Sequence, residues 1–228
     1  MKNLTNHRFQ IESHGKAIAT EVFPPAGASR GVSVVIAHGT DGMKEPWGAM
    51  IREYAAALAA MGITALIPNY FEKTVTAPGM QVWSSPPAHL DAWLEAVDDT
   101  VSYALTLSGA ASCVGLLGFS LGGHICLRLR RSAKCVVEFF APELRQFGGL
   151  GSGASPAASV QIHHGLADVL VPFSEAAAIA AALQKEGAAT EMFSYEGAGH
   201  GFAGADPDNA TARRSSKDRT LAFFKRSL

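Results

Sequence analysis

Apolar and polar positions along the chain follow two interleaved patterns. Short, nearly uninterrupted apolar runs, such as "GVSVVIAHG" (31–39), "ITALIPN" (63–69) and Cys113–Leu117, read as strands buried on both faces. Cys135–Phe140, Val160–His163 and Thr190–Tyr195 continue the series. Between the runs lie stretches with helical spacing: Pro46–Met61, which stops at Gly62, then Ala88–Leu107, Leu121–Arg131, Phe173–Glu186 and a closing Asp208–Arg226. Two alternating segments, Arg8–Ser13 and Lys16–Phe23, flank His14-Gly15 and predict an opening hairpin.

Strand and helix alternating in this way predict an α/β fold, with a mostly parallel twisted sheet of about eight strands and helices on both faces. The glycine- and serine-rich connector "GGLGSGASPAAS" (148–159) could pass for a linker. About 70 residues beyond it could hardly bury a core of their own, so one domain over residues 1–228 is expected. In such sheets ligands bind beyond the carboxyl ends of the strands. The loops to inspect are therefore 38–44, 69–87, 118–122, 141–143, 165–172 and 196–204.

Composition narrows the function classes. Only 17% of the 228 residues are charged, 48% are hydrophobic, and the formal net charge is −1. No basic stripe calls for a nucleic-acid partner, and no apolar run approaches the roughly 20 residues that cross a bilayer. The polar N-terminal stretch does not read as a secretory signal. Cys113, Cys126 and Cys135 lack CxxC spacing and read as reduced thiols in a cytoplasmic protein. No histidine pair has metal-ligand spacing and no G-x-G-x-x-G occurs, so neither metal nor cofactor is expected.

The chemistry concentrates in three loops. Gly118-Phe119-Ser120-Leu121-Gly122 is a G-x-S-x-G placed where a buried strand meets a helix. A tight turn there pushes the Ser120 hydroxyl into the cleft, with glycines leaving room for strand and helix to approach. A serine needs a base, and the base an orienting acid. His200, in "YEGAGHGFAG", is the candidate base, against a plain surface-loop histidine. Asp168, in "HHGLADVLVP", is the candidate acid, against a cap or turn residue. Asp206 is the fallback acid, although "ADPDN" reads better as the entry to the last helix. Oxyanion donors are expected at the N–H of Leu121 and of Thr40 in "AHGTDG". His38 reads as a loop brace, and His163 and His164 as groups packed below the Asp168 loop.

The elbow "GFSLGG", the acid loop "HHGLADVLVP", the base loop "GAGHGFA" and the chain length together resemble the dienelactone hydrolase family of α/β-hydrolases, from about Gly31 to the end. The resemblance implies the α/β-hydrolase fold, the triad Ser120–Asp168–His200, oxyanion donors at Thr40 and Leu121, and hydrolysis of a small-molecule ester or lactone through an acyl-enzyme. The chain departs from the family's pattern in three places. Ser120 stands where dienelactone hydrolases proper carry cysteine, and Gly39 stands where they hold an activating glutamate. Carboxylate-gripping arginines are missing too: the 69–87 loop offers only Lys73, and Gly204 stands where an arginine would follow the histidine. This pattern points to a serine-esterase branch acting on uncharged or apolar esters.

Met80 and Trp83, in the proline-rich loop, are candidates for a substrate wall or partial lid; Phe119 and Phe202 are substrate wall or core. Glu138, inside "CVVEFFAP", is either hydrogen-bonded or ion-paired at a strand end, or a carboxyl near the serine. An amidase or acyltransferase on the same triad, or an inactive hydrolase-fold protein that binds a small molecule, are the rival readings. Oligomeric state is not legible.

Overall fold

A computed structural model describes residues 7–84, 86–107, 113–145, 148–151 and 158–228. Its elements are β1 (His7–Ser13), β2 (Lys16–Phe23), β3 (Val32–Ala37), α1 (Trp47–Ala60), β4 (Thr64–Pro68), α2 (Pro86–Leu107), β5 (Cys113–Phe119), α3 (Leu121–Arg128), β6 (Cys135–Phe139), β7 (Ser159–Gly165), α4 (Phe173–Lys185), β8 (Thr190–Tyr195) and α5 (Pro207–Ser227). The eight strands form one sheet in the order β1-β2-β4-β3-β5-β6-β7-β8. The antiparallel hairpin β1–β2 joins the sheet edge with β2 antiparallel to β4, and the five remaining pairings are parallel. This is the mostly parallel α/β sheet that the alternating pattern predicts.

Because side chains alternate across a strand, each buried strand feeds two cores. On β5, Val114 and Leu116 face a layer built on Trp93 and Val97 of α2, Ile125 of α3 and Ile179 of α4. Leu117 and Phe119 face the opposite layer, with Ile51 and Leu58 of α1 and Phe223 and Phe224 of α5. One glycine on β5 serves this packing. A Cβ at Gly115 would stand 2.8 Å from the Phe224 ring, so α5 lies against the bare strand there.

Two boundaries differ from the sequence expectation. The third helix ends at Arg128 rather than Arg131, and a 3₁₀ turn, Arg130–Ser132, follows. There Arg130 is buried and donates to the carbonyls of Leu127 and Leu150 while pairing with Glu186. Those bonds outweigh helix propensity. The 69–87 stretch is not simply open loop: it holds 3₁₀ turns at Tyr70–Thr74 and Met80–Ser84. Tyr70 and Phe71 drop into the core, while the middle of the connector 148–159 lies outside the described residues.

Candidate active site

The carboxyl ends of β3, β5, β6, β7 and β8 bring the functional loops to one edge of the sheet. Ser120 sits between β5 and α3 with φ 53° and ψ −118°, a backbone conformation that non-glycine residues rarely hold. Its N–H donates to the Phe139 carbonyl of β6 (2.8 Å), which ties the elbow to the neighbouring strand. The flanking glycines are steric requirements. A Cβ at Gly118 would lie 2.2 Å from the Gly122 carbonyl oxygen, and one at Gly122 would lie 2.2 Å from that of Ala37. Gly39 is less crowded: a Cβ there would stand 3.3 Å from the Phe119 carbonyl oxygen and 3.4 Å from the Ser120 Cβ.

Three side chains from three loops form a hydrogen-bonded relay. His200 Nε2 lies 3.2 Å from Ser120 Oγ, and its Nδ1 lies 2.8 Å from Asp168 Oδ2. The other carboxylate oxygen, Oδ1, accepts the N–H groups of Leu170 and Val171 at 2.9 Å each. Burial alone would raise the Asp168 pKa, but the hydrogen bonds from His200 and Val171 N–H outweigh it and hold the carboxyl below its usual range. An ionised Asp168 fixes the imidazole with its proton on Nδ1, leaving the Nε2 lone pair toward Ser120.

Behind the acid, His164 Nε2–H donates to the Val171 carbonyl (2.8 Å) and lies 3.4 Å from Asp168 Oδ2. The acid and base loops are held in contact by Ala167 N–H to the Ala198 carbonyl (3.0 Å) and Leu166 N–H to the Tyr195 carbonyl (2.9 Å). Gly165 permits that approach, since a Cβ there would meet the Ala198 oxygen at 2.1 Å.

A cavity of about 60 Å³ opens over Ser120 and His200. Thr40 and Gly39 line it, together with Phe119, Phe140 and Met80. Among the described residues nothing accepts the N–H of Thr40 or of Leu121, while the Thr40 carbonyl is engaged by Gly79 N–H (2.8 Å). Leu121 is the first residue of α3, where backbone N–H groups have no helical partner.

Phe202 is not on this wall. It is buried edge-on against Tyr195 (5.0 Å) and Phe140 (5.4 Å), because the left-handed turn through Gly201 (φ 71°) and Phe202 (φ 51°) sends it inward. The Trp83 side chain lies outside the described residues. Asp41, Gly42 and Gly201 also line the cavity, as do Trp47, Met50 and Ile51 of α1, Phe140 and Leu170, apolar residues that sequence reading had not singled out. Their apolar character matches core positions, so periodicity could not separate them. Trp47 packs so close to the base loop that a Cβ at Gly201 would strike its ring at 2.5 Å, a contact that only the tertiary structure shows.

The remaining candidates have other partners. Asp206 caps α5, its Oδ1 accepting Asn209 N–H at 2.9 Å. His38 is fully buried, donates from Nδ1 to the Gly39 carbonyl (2.8 Å) and stacks on Tyr70. His163 hydrogen-bonds Tyr195 Oη and Gln161 Oε1. Lys73 reaches Glu95 and the Ser13 carbonyl, at the hairpin. Glu138 is fully buried on β6; its Oε2 accepts Ala141 N–H (2.9 Å), Oε1 has no partner among the described residues, and burial pushes its pKa up to about 8. No group of three or more His, Cys, Asp or Glu that could hold a metal occurs among the described residues.

The family model for the dienelactone hydrolase family matches residues 18–228. No curated protein matches the chain by sequence. Solved structures superpose over nearly the whole chain at low identity. One is a dienelactone hydrolase-like promiscuous phosphotriesterase from metagenomic libraries (20% identity, TM-score 0.72, 98% of each chain). Esterase 2 of Thermogutta terrifontis aligns at 18% identity and TM-score 0.73, over 97% of this chain and 94% of its own. XC6422 of Xanthomonas campestris, an α/β serine hydrolase without a lid, aligns at 16% identity and TM-score 0.73, over 98% of this chain and 95% of its own.

Proposed function

The chain belongs to the dienelactone hydrolase family, and from that premise we propose that it is a single-domain carboxylic-ester hydrolase, working through an acyl-enzyme on Ser120. The observation that carries this reading is the unbroken relay from Ser120 Oγ through His200 to Asp168, at 3.2 and 2.8 Å. His200 Nε2 takes the Ser120 proton as Oγ attacks the ester carbonyl. Negative charge develops on the carbonyl oxygen, where the N–H groups of Thr40 and Leu121 receive it; a single such donor is typically worth about 3–4 kcal/mol of barrier. The imidazolium then protonates the departing alkoxide, and a water activated by the same nitrogen hydrolyses the acyl-serine.

The substrate we assign is a small uncharged ester or lactone. The lining of Trp47, Met50, Ile51, Phe119 and Phe140 offers an apolar surface, Asp41 on the same lining is acidic, and among the described residues no arginine lines the cavity to grip a carboxylate. Lys73, the cation of the 69–87 loop, is engaged elsewhere. We place the protein in the cytoplasm. Its three cysteines are free thiols, and burial raises the pKa of Cys126 and Cys135. No described helix is long and apolar enough to cross a membrane.

The test is covalent. Incubation with a fluorophosphonate should place one adduct on Ser120, located by peptide mass spectrometry, with turnover of short-chain esters by the unlabelled protein. A folded sample with neither label nor turnover would replace this reading with that of a hydrolase-fold binding protein. Turnover of amides, or acyl transfer in preference to water, would favour the amidase or acyltransferase alternative.

A further inference from the structure

The cavity over Ser120 holds about 60 Å³, room for roughly four to six water-sized groups. That is enough for the reacting carbonyl and one short substituent. An ester has two arms, and the longer one needs another place. Met80 and Leu170, 55% and 47% exposed, form one side of this cavity and also one side of an open groove of about 400 Å³. Beyond that pair the groove is lined by Pro142, Leu144, Val171 and Pro172, with Glu175 as the one charged residue among the described lining. Its walls are the segment after β6 and the segment that carries Asp168 into α4, and it adjoins the cavity over Ser120 through Met80 and Leu170.

From this continuity, and resting on the esterase reading, we infer that the preferred substrate is a two-armed ester of unequal size. One short arm is enclosed over Ser120, and one long, uncharged apolar arm lies across Met80 and Leu170 in the Pro142–Glu175 groove. A proline-lined trough keeps its shape without a ligand, so the arm loses little to ordering of the protein. Glu175 stays in place because its carboxylate accepts Glu143 N–H (2.8 Å), and it sets the sign of discrimination: an arm ending in a carboxylate meets a like charge.

Two matched series starting from methyl acetate decide the matter: methyl alkanoates up to octanoate, and alkyl acetates up to octyl, followed by pH-stat titration. One series should gain in kcat/KM, by up to about fourfold per added methylene. The other should fall once its arm exceeds two or three carbons. Both series falling alike, or both tolerating long arms, would overturn this inference while leaving the esterase reading intact, provided fluorophosphonate labels Ser120. No turnover in either series with an unlabelled Ser120 would overturn both.

A charge variant probes the groove directly. For long-arm substrates, Glu175→Gln should raise the kcat/KM ratio of the carboxylate-ended to the methyl-ended ester about two- to fivefold. The ratio is taken within the same variant, so a change in the amount of active protein does not mimic the effect. An unchanged ratio would mean the long arm lies elsewhere.

Discussion

At the scale of single residues, the decisive feature is how Asp168 is held. Its Oδ1 is committed to two backbone N–H groups, those of Leu170 and Val171, so only Oδ2 is free to face His200. In an Asp168→Asn variant the amide oxygen must stay with those two donors, and the NH₂ group then points at His200 Nδ1. The imidazole can accept that bond only by moving its own proton to Nε2, which removes the base from Ser120. Steady-state kinetics should show kcat lowered by about 10⁴ with the fold unchanged by circular dichroism. Near-full activity would mean that another carboxylate orients the histidine. Ser120, Asp168 and His200 were legible in the sequence because glycine-flanked loops after strands advertise them. Whether Phe202 is wall or core was not legible, because the direction in which a side chain leaves a left-handed turn is not written in local pattern.

At the scale of elements, the site depends on backbones approaching closer than side chains allow. The pairing of β7 with β8 continues into their loops, where the Ala167 and Leu166 N–H groups bond the Ala198 and Tyr195 carbonyls. Gly165 is the point of closest approach. A Gly165→Ala substitution must push the acid loop away from the base loop, since the obstacle at 2.1 Å is backbone and cannot rotate aside. Urea unfolding should register a loss of about 1–3 kcal/mol. Because the displaced loops carry Asp168 and His200, kcat should fall more than KM rises. A variant with wild-type stability and kcat would show that the loops adapt independently. Most elements could be read from periodicity, including the buried strands and the amphipathic α1, α2 and α4. The shortened α3 could not, because its end is set by the long-range bonds of Arg130 to Leu150 and Glu186.

At the scale of the whole molecule, buried titratable groups set the pH range of stability. Burial lowers His38 and His124 to about 4 and His163 to about 3, from 6.5, and lowers His164 as well. These imidazoles are neutral when folded and take up protons on unfolding, so their stabilisation is present above pH 6.5 and is lost as pH falls toward 4. Glu138 acts in the opposite direction. The folded protein keeps its proton up to about pH 8 while an unfolded chain releases it near 4.5, so its contribution declines as pH rises across that window. Below pH 6.5 the histidines outnumber the one carboxyl, and above it only the carboxyl operates. Urea midpoints near pH 5, 6.5 and 8 should therefore pass through a maximum at the middle value. Glu138→Gln should flatten the alkaline limb and steepen the acid one, where the carboxyl had opposed the histidines. A midpoint that climbs steadily to pH 8 would contradict the assignment.

The sequence alone determined the α/β alternation, the order of the helices and strands, and the three loops that carry serine, acid and base. Each of these follows from local rules: the two-residue and 3.6-residue periods, glycine at tight turns, and the placement of reactive groups after strands. Tertiary structure decided which apolar residues became cavity wall and which became core. It also decided that the hairpin β1–β2 closes the sheet beyond β4, and that Glu138 is a buried carboxyl bonded to a backbone N–H. Those outcomes depend on which elements meet across the sheet. A phenylalanine has the same hydrophobicity beside Ser120, as Phe119 is, or one layer behind it, as Phe202 is. Only the packing of distant segments separates the two.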